Sequence, residues 1–342
     1  MDLDICSFHS VKGGVGKSTL AVLAARGLAT RETHPVVLID MDLTGTSLAD
    51  VLALRAPCWD AAPWPDRLAR RPDGWDDTPD PTRHIVDRLD EHGALTAAAV
   101  PCLNDFLLTP RSLSRVAPKL HPAAFLWKLA GGFEHLYVIP SSALPADVER
   151  IVPVVFDEQR SSFLQARLEL LIDALLGYFE EEGAKGLTLV FDTPPTIPGL
   201  SRSVLSLALR LGFEEKLALV DGARLPLRVE QAKVRWRAFL TATQDPQDWQ
   251  ALLRWLEDPA LGTERDIAVL RVIFNRVTNI DQLKADLKLG GVIDTFTKSP
   301  WPGYLRDPSF IEMSDHLRIF QRDTNSEEAA WALVQETFGV VP

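Results

Sequence analysis

The sequence predicts an α/β fold, a mostly parallel central sheet with helices on both faces, on three observations. Short, largely apolar runs recur at Leu3–Phe8, Val36–Asp40, Leu136–Pro140, Leu187–Phe191, Leu217–Val220 and Ile267–Phe274. Strands buried on both faces by crossover helices read in this way. Between several of these runs lie longer stretches of helical period, the alternation that builds parallel sheets. The third observation is the junction at Ser10–Thr19, S-V-K-G-G-V-G-K-S-T, where the first apolar run turns through glycines into a helix-forming run.

In chain order, Leu3–Phe8 is the first strand and Lys17–Thr30 the first helix, with Ala, Leu and Val at most positions, as packing on a sheet requires. Val36–Asp40 is the second strand, and Ser47 is the N-cap of a short helix through Leu54. Arg55–Asp90 then holds six prolines, three tryptophans and eight aspartates without sustained periodicity. It reads as an irregular insertion whose tryptophans argue against full disorder. Leu136–Pro140 resumes the sheet, Phe163–Phe179 is a long helix, and Leu187–Phe191 is a strand. Leu200–Leu211 is a helix and Leu217–Val220 a strand. Pro226–Leu240 is predicted as a helix with proline in its first turn, where a missing N–H costs little. Ile267–Phe274 is a strand ending at Asn275, and Ser326–Phe338 is a final helix capped by Ser326 with Glu327 and Glu328 in its first turn. The expected organisation is one domain over residues 1–342 with an insertion at about 55–135.

Composition bounds the function. The chain has 342 residues, 46% hydrophobic and 24% charged, with a mean hydropathy of +0.01 and a net charge of −11. No apolar run approaches the ~18 residues of a membrane span, and the acidic start Met1–Asp4 is unlike a secretory signal, so a cytoplasmic protein is expected. The charge excludes a globally basic nucleic-acid coat and leaves room for local patches. Cys6, Cys58 and Cys102 form no C-x-x-C pair, which disfavours iron–sulfur carriers.

The glycine junction carries the chemistry. Gly13, Gly14 and Gly16 let the backbone curl around Val15 with its N–H groups inward, and the helix that opens at Lys17–Thr19 presents its positive end to the same anion. Lys17 can reach the β- and γ-phosphates of a nucleotide, and the Ser18 hydroxyl can ligate magnesium. The generic pattern G-x-x-x-x-G-K-[ST] fails at Val11. The match is to K-G-G-x-G-K-[ST], with a second lysine, Lys12.

With Lys12 in place the loop resembles that of the ParA/MinD family of P-loop ATPases, which carry this deviant Walker A motif. Val36–Ser47, V-V-L-I-D-M-D-L-T-G-T-S, is similar to the family's second motif, and Leu187–Pro195, L-T-L-V-F-D-T-P-P, resembles its Walker B variant. The three blocks stand in the family's order, and the resemblance fails in the insertion. It implies ATP and Mg2+ as cofactors and hydrolysis of ATP to ADP and phosphate. It also implies that Asp42 orients the attacking water, that Asp40 lies near the magnesium shell, and that Asp192 joins Ser18 on the metal through water. Lys12 would reach across an ATP-dependent homodimer to the partner's nucleotide. V-I-F-N-R-V resembles the adenine-reading block of the MinD-like branch, so Asn275 would read the base. For Asp42 a solvated loop carboxylate, and for Asn275 a plain turn asparagine, are the structural alternatives.

The output implied is a switch that times attachment to a cargo, DNA or a protein surface, with turnover raised by an activating protein partner. Two basic clusters, Arg111/Arg115/Lys119 and Arg224/Arg228/Lys233/Arg235/Arg237, would contact non-specific DNA through phosphates or be solvated helix faces. The C-terminal helix is nearly free of lysine and arginine, which suits docking on the core and no integral membrane association. The alternative function is an ATP-dependent ligase of the same fold, dethiobiotin-synthetase-like or amidase-like.

Overall fold

A computed structural model describes residues 1–31, 33–44, 48–77, 81–109, 120–131, 133–155, 161–195, 200–212, 226–257, 270–289 and 309–312. Strand β1 (Asp2–His9) lies inside the sheet because both its faces are apolar: Leu3, Ile5 and Phe8 are at most 1% exposed. It runs parallel to β8 (Gly186–Asp192) on one side and β9 (Lys233–Ala242) on the other. Beyond β8 come β2 (Val36–Asp40) and β7 (Leu136–Ile139), and beyond β9 come β10 (Leu270–Val277) and β11 (Ser309–Glu312), all parallel. Strands β6 (Trp127–Leu129) and β3 (Leu54–Arg55) add an antiparallel margin, giving the order β11-β10-β9-β1-β8-β2-β7-β6-β3. The predicted fold class is therefore borne out.

Helix α1 (Lys17–Arg31) packs on β1, β2 and β8, with Leu20, Ala21, Leu23, Ala24 and Ala25 buried against them. The long helix α5 (Ser161–Glu181) and α6 (Leu200–Gly212) pack together, and α6 also lies on β9. Among the described residues no helix is long and apolar enough to cross a membrane.

Residues 55–135, expected to be an insertion, have more structure than their composition suggested. Their two margins supply β3 and β6, their middle holds the hairpin β4 (Pro57–Cys58) and β5 (Gly74–Trp75), and two short helices follow, α2 (Pro81–Val86) and α3 (Leu103–Leu108). Trp127 is fully buried and donates its indole N–H to the Pro101 carbonyl at 3.1 Å, tying this region into the main core. Three further helices were not foreseen: α4 (Pro145–Val155), α8 (Pro246–Glu257) and α9 (Ile280–Leu289).

Two expectations are corrected. The short helix expected from Ser47 through Leu54 is a single 3-10 turn at Leu48–Asp50, after which Leu54 enters β3. The helix expected at Pro226–Leu240 is only α7 (Leu227–Gln231), after which the chain becomes β9. Lys233–Ala238 alternates basic and apolar residues, and Val234, Trp236 and Ala238 face inward at the period of a strand. Leu217–Val220, Ser326–Phe338, Ser47, Arg224 and the cluster Arg111/Arg115/Lys119 lie outside the described residues.

Candidate functional site

Register brings three chain segments to one edge. Phe8 and Asp40 are both aligned with Asp192, so the glycine loop leaving β1, the Asp40–Asp42 segment leaving β2 and the end of β8 emerge side by side. Open α/β sheets bind ligands at this carboxyl edge.

The loop takes the shape of a cradle because its carbonyls are held from outside. Ser10 Oγ donates to the Lys12 carbonyl at 2.6 Å, Arg276 Nη1 to that of Gly14 at 3.0 Å, and Asn275 Nδ2 to that of Val15 at 2.9 Å. In a trans peptide the next N–H points the opposite way, so these contacts turn the Gly13, Val15 and Gly16 N–H groups away from them. Gly14 and Gly16 have φ of +79° and +86°, a conformation that strains any residue with a Cβ.

Lys17, in the first turn of α1, is 6% exposed. Burial lowers its pKa, and the nearby carboxylates of Asp192 and Asp42 oppose that shift. Asp192 is pushed up to about 7, first by burial and then by the Asp40 charge, against the hydrogen bond from Ser18 and the attraction of Lys17. Asp40 is pushed up to about 6 by burial, although Leu48 N–H, Ser141 Oγ and Asp42 N–H donate to it at 2.7, 2.8 and 3.1 Å.

Two oxygens at this edge, Asp42 Oδ1 and Asp192 Oδ1, are buried without a hydrogen-bond partner. Leaving such an atom unsatisfied costs about 1–3 kcal/mol, and more when it is charged. Hard carboxylate oxygens beside a hydroxyl are the donor set a magnesium ion takes, so Asp192, which accepts a hydrogen bond from Ser18, fits that ion together with Ser18, and the Asp42 oxygen is open to a water. Asp40 differs, because both its oxygens already hold backbone N–H groups of its own loop.

The remaining expected residues divide. Lys12 is not beside Lys17's carboxylates: its Nζ lies 3.5 Å from Asp248 Oδ1 and 3.3 Å from Gln247 Oε1, in the first turn of α8. Asn275, expected to meet adenine, is fully buried within β10, with its amide N–H on the Val15 carbonyl and its Oδ1 without a partner. Thr19 is half-buried in α1. Among the described residues, Arg228, Lys233, Arg235 and Arg237 form no single helical face. Arg228 on α7 pairs with Asp173 at 3.8 Å and Glu180 at 3.6 Å, and Arg235 on β9 grips Asp4 with both its Nε and Nη2.

Sequence reasoning missed Arg276, which follows Asn275 at φ +58° and braces Gly14. A non-glycine residue in that region is a strained conformation found most often at functional sites. It also missed His9, fully buried under the loop between Ser7 Oγ and Ser201 Oγ, each at 2.8 Å. Burial, with Lys17 adding to it, lowers this imidazole to about 3 and keeps it neutral. A third unforeseen feature is a cavity of about 660 Å³ on the other side of the loop, lined by Gln244, Asp245, Arg276, Thr278, Asn279 and Gln282 among others.

Cradle, buried lysine and carboxylate edge have the arrangement of a P-loop site. Residues 4–65 match the ParA family model, described as NUBPL iron-transfer P-loop NTPase. Among solved structures, apo McdA from Cyanothece is similar with a TM-score of 0.53 at 15% identity, covering 98% of this chain and 100% of that one. A putative plasmid partition protein from Borrelia burgdorferi B31 bound to AMPPNP gives 0.50 at 13% identity, covering 98% and 99%. Cobyrinic acid a,c-diamide synthase from Mycobacterium smegmatis with ADP and magnesium gives 0.51 at 14% identity, covering 98% and 96%. No protein of curated function matches the chain. The resemblance read from the sequence is borne out: the chain has the fold and the nucleotide-loop region of the ParA/MinD-like P-loop ATPases.

Proposed function

We propose that the chain is a Mg-ATP-dependent ATPase switch that dimerises around nucleotide and times attachment to a cargo or surface. The observation that carries this reading is the pair of buried, unpartnered oxygens on Asp42 and Asp192, both within electrostatic reach of Lys17 at the mouth of the glycine loop. A switch of this kind needs charge neutralised on the phosphates, a placed metal and an oriented water. Lys17 and the loop N–H groups serve the first need. Ser18 and Asp192 would hold the magnesium ion, which supplies Lewis-acid stabilisation of phosphate charge when bound. Asp42 accepts a proton-bearing water and orients it, while Asp40 keeps the loop that carries Asp42 in register. Lys12, which has no task beside Lys17 within one subunit, serves the partner's nucleotide as an arginine finger does.

Sedimentation tests the reading. The wild-type chain is monomeric or weakly associated without nucleotide and dimeric with ATP, and Lys12→Ala binds ATP but loses the dimer, the hydrolysis or both. The same oligomer with and without ATP overturns the cross-subunit role. Slow basal turnover, accelerated by a protein partner, belongs to the same reading. Non-specific DNA is one candidate cargo, and steeply salt-sensitive retention that requires ATP is its signature.

A second reading, an ATP-dependent amidase or ligase, is favoured by the likeness to the diamide synthase, whose TM-score matches that of the partition proteins. Turnover that requires a carboxylate metabolite and yields a ligated product would select it.

A further inference from the structure

The turn that leaves β7, Pro140–Ser142, is gripped from two directions. On one side, Ser141 Oγ donates to Asp40 Oδ2 at 2.8 Å with the Asp42 carbonyl 3.1 Å away, and Ser141 N–H points at the same Asp40 oxygen at 3.4 Å. On the other side stands α3 of the inserted segment. Leu103 N–H donates to the Pro140 carbonyl at 2.9 Å, and the Asn104 carboxamide brackets Ser142, accepting from its N–H at 2.8 Å and donating to its carbonyl at 3.1 Å. Ser142 Oγ then donates to Asp147 Oδ2 at 2.6 Å, and Arg88 joins Asp147 at 3.2 Å to Asp105 at 3.0 Å. Every residue from Asp40 through Ser141, Ser142, Asn104, Asp147 and Arg88 to Asp105 is at most 2% exposed.

We propose that Ser141 is a positioning residue for the Asp40–Asp42 segment and that the inserted segment acts on the nucleotide site through it, by way of Asn104. The inference rests on the reading of that segment as part of the nucleotide site. Asp40 is the hub: one oxygen holds the Asp42 N–H and the other holds both Leu48 N–H and Ser141, so a shift of Ser141 moves the anchor of the whole loop. Buried polar groups in low dielectric have no water to substitute for a lost partner, so a displacement at Asn104 is transmitted along the path. A simple staple between insertion and sheet would need only the Leu103 and Asn104 contacts to the turn. The Ser141 hydroxyl adds a contact that ends on the carboxylate itself.

Hydrogen exchange and steady-state kinetics on the full chain test this together. In Ser141→Ala, exchange at the Asp42 and Leu48 amides rises about tenfold, the size of one lost buried hydrogen bond, while β1 and α5 stay protected. ATP turnover falls by a similar factor with KM unchanged within about threefold, since Lys17 and Ser18 are untouched. Asn104→Ala, remote from nucleotide, gives the same pattern with a smaller amplitude. Unchanged exchange at Asp42 and Leu48 in a folded Ser141→Ala protein overturns the proposal. Should that variant fail to fold, unchanged exchange in Asn104→Ala does so. Local loosening in a chain whose wild type hydrolyses no ATP sinks the ATPase reading and leaves the positioning role standing.

Discussion

On one side of the glycine loop, the ends of β2 and β8 bring together Asp40 and Asp192, both buried, and the half-buried Asp42. On the other, the ends of β9 and β10 place Gln244, Thr278 and Asn279 around an open cavity. The first wall holds its polarity in buried charge, with two carboxylates raised to about 6 and about 7. The second is lined by exposed polar groups that pair with each other: Gln244 Oε1 accepts from both Thr278 N–H and Thr278 Oγ1 at 2.9 Å. A nucleotide has the same asymmetry, charge at one end and a neutral base at the other. Both walls leave buried oxygens without partners, Asp42 and Asp192 on the first and Thr241 and Asn275 on the second, and the difference teaches that only on the first are these carboxylates, whose cost a bound cation would relieve.

The most disruptive change removes the buried charge that faces the carboxylate wall. Lys17→Ala should lower ATP affinity by at least about a hundredfold in calorimetry, because a buried charge-assisted contact to phosphate is lost. Undiminished affinity would dissolve the comparison. Next, Asp42→Ala should leave Mg-ATP affinity intact and reduce turnover by about 10²–10⁴-fold, the range of a positioned proton-transfer group. Wild-type turnover in that variant would move the water-orienting role to Asp192.

The third effect is of pH on the nucleotide-free protein. Asp192 ionises near 3.8 when unfolded and at about 7 when folded, so across that window the folded state holds a proton that the unfolded state has released. Stability from this group is fully present below the window and lost as pH rises through about 7, while Asp40 adds a like loss ending near about 6. Lys17 and Asp42 are the other charges facing Asp192, and His9 stays neutral throughout. Thermal midpoints should therefore fall between pH 5 and pH 8, and Asp192→Asn should flatten the upper part of the slope. A midpoint that rises over this range contradicts the account. The smallest effect belongs to the open wall. Arg276→Ala, which frees one carbonyl of the cradle, should weaken ATP binding about three- to tenfold, as a single hydrogen bond does. A loss as large as that of Lys17→Ala would show that the two walls matter equally.

The carboxylate wall was legible in the sequence, and of the open wall only β10 was, for a physical reason. β1, β2 and β8 are short apolar runs that end in motif residues, so periodicity and chemistry agree on their limits. Val36–Asp40 was placed to the residue. Residues 226–242 carry a pattern compatible with two periods, and the arginines were read as one helical face. The signal that decides it is the strict alternation of Lys233, Arg235 and Arg237 with Val234, Trp236 and Ala238. Arg276 and Ser141 were invisible for another reason. Their roles depend on which strand ends lie together, and no local pattern encodes that. The insertion was hardest, since its strands of two or three residues are too short to show a period.

The contact of Lys12 with α8 has a thermodynamic corollary. The lysine side chain is 38% exposed, and an ion pair of that kind is worth about 0–1 kcal/mol, no more than about a fivefold bias in an equilibrium. Asp248 also keeps the Thr243 hydroxyl on its other oxygen, so departure of the lysine leaves that carboxylate hydrogen-bonded. Lys12 is thus parked rather than locked, and moving it to a phosphate exchanges one screened attraction for another. Added salt weakens the old contact and the new one alike. If Lys12 serves a partner's nucleotide as proposed, that step should be less sensitive to ionic strength than a newly formed ion pair would be, and nucleotide occupancy would outweigh the salt of the medium in setting it.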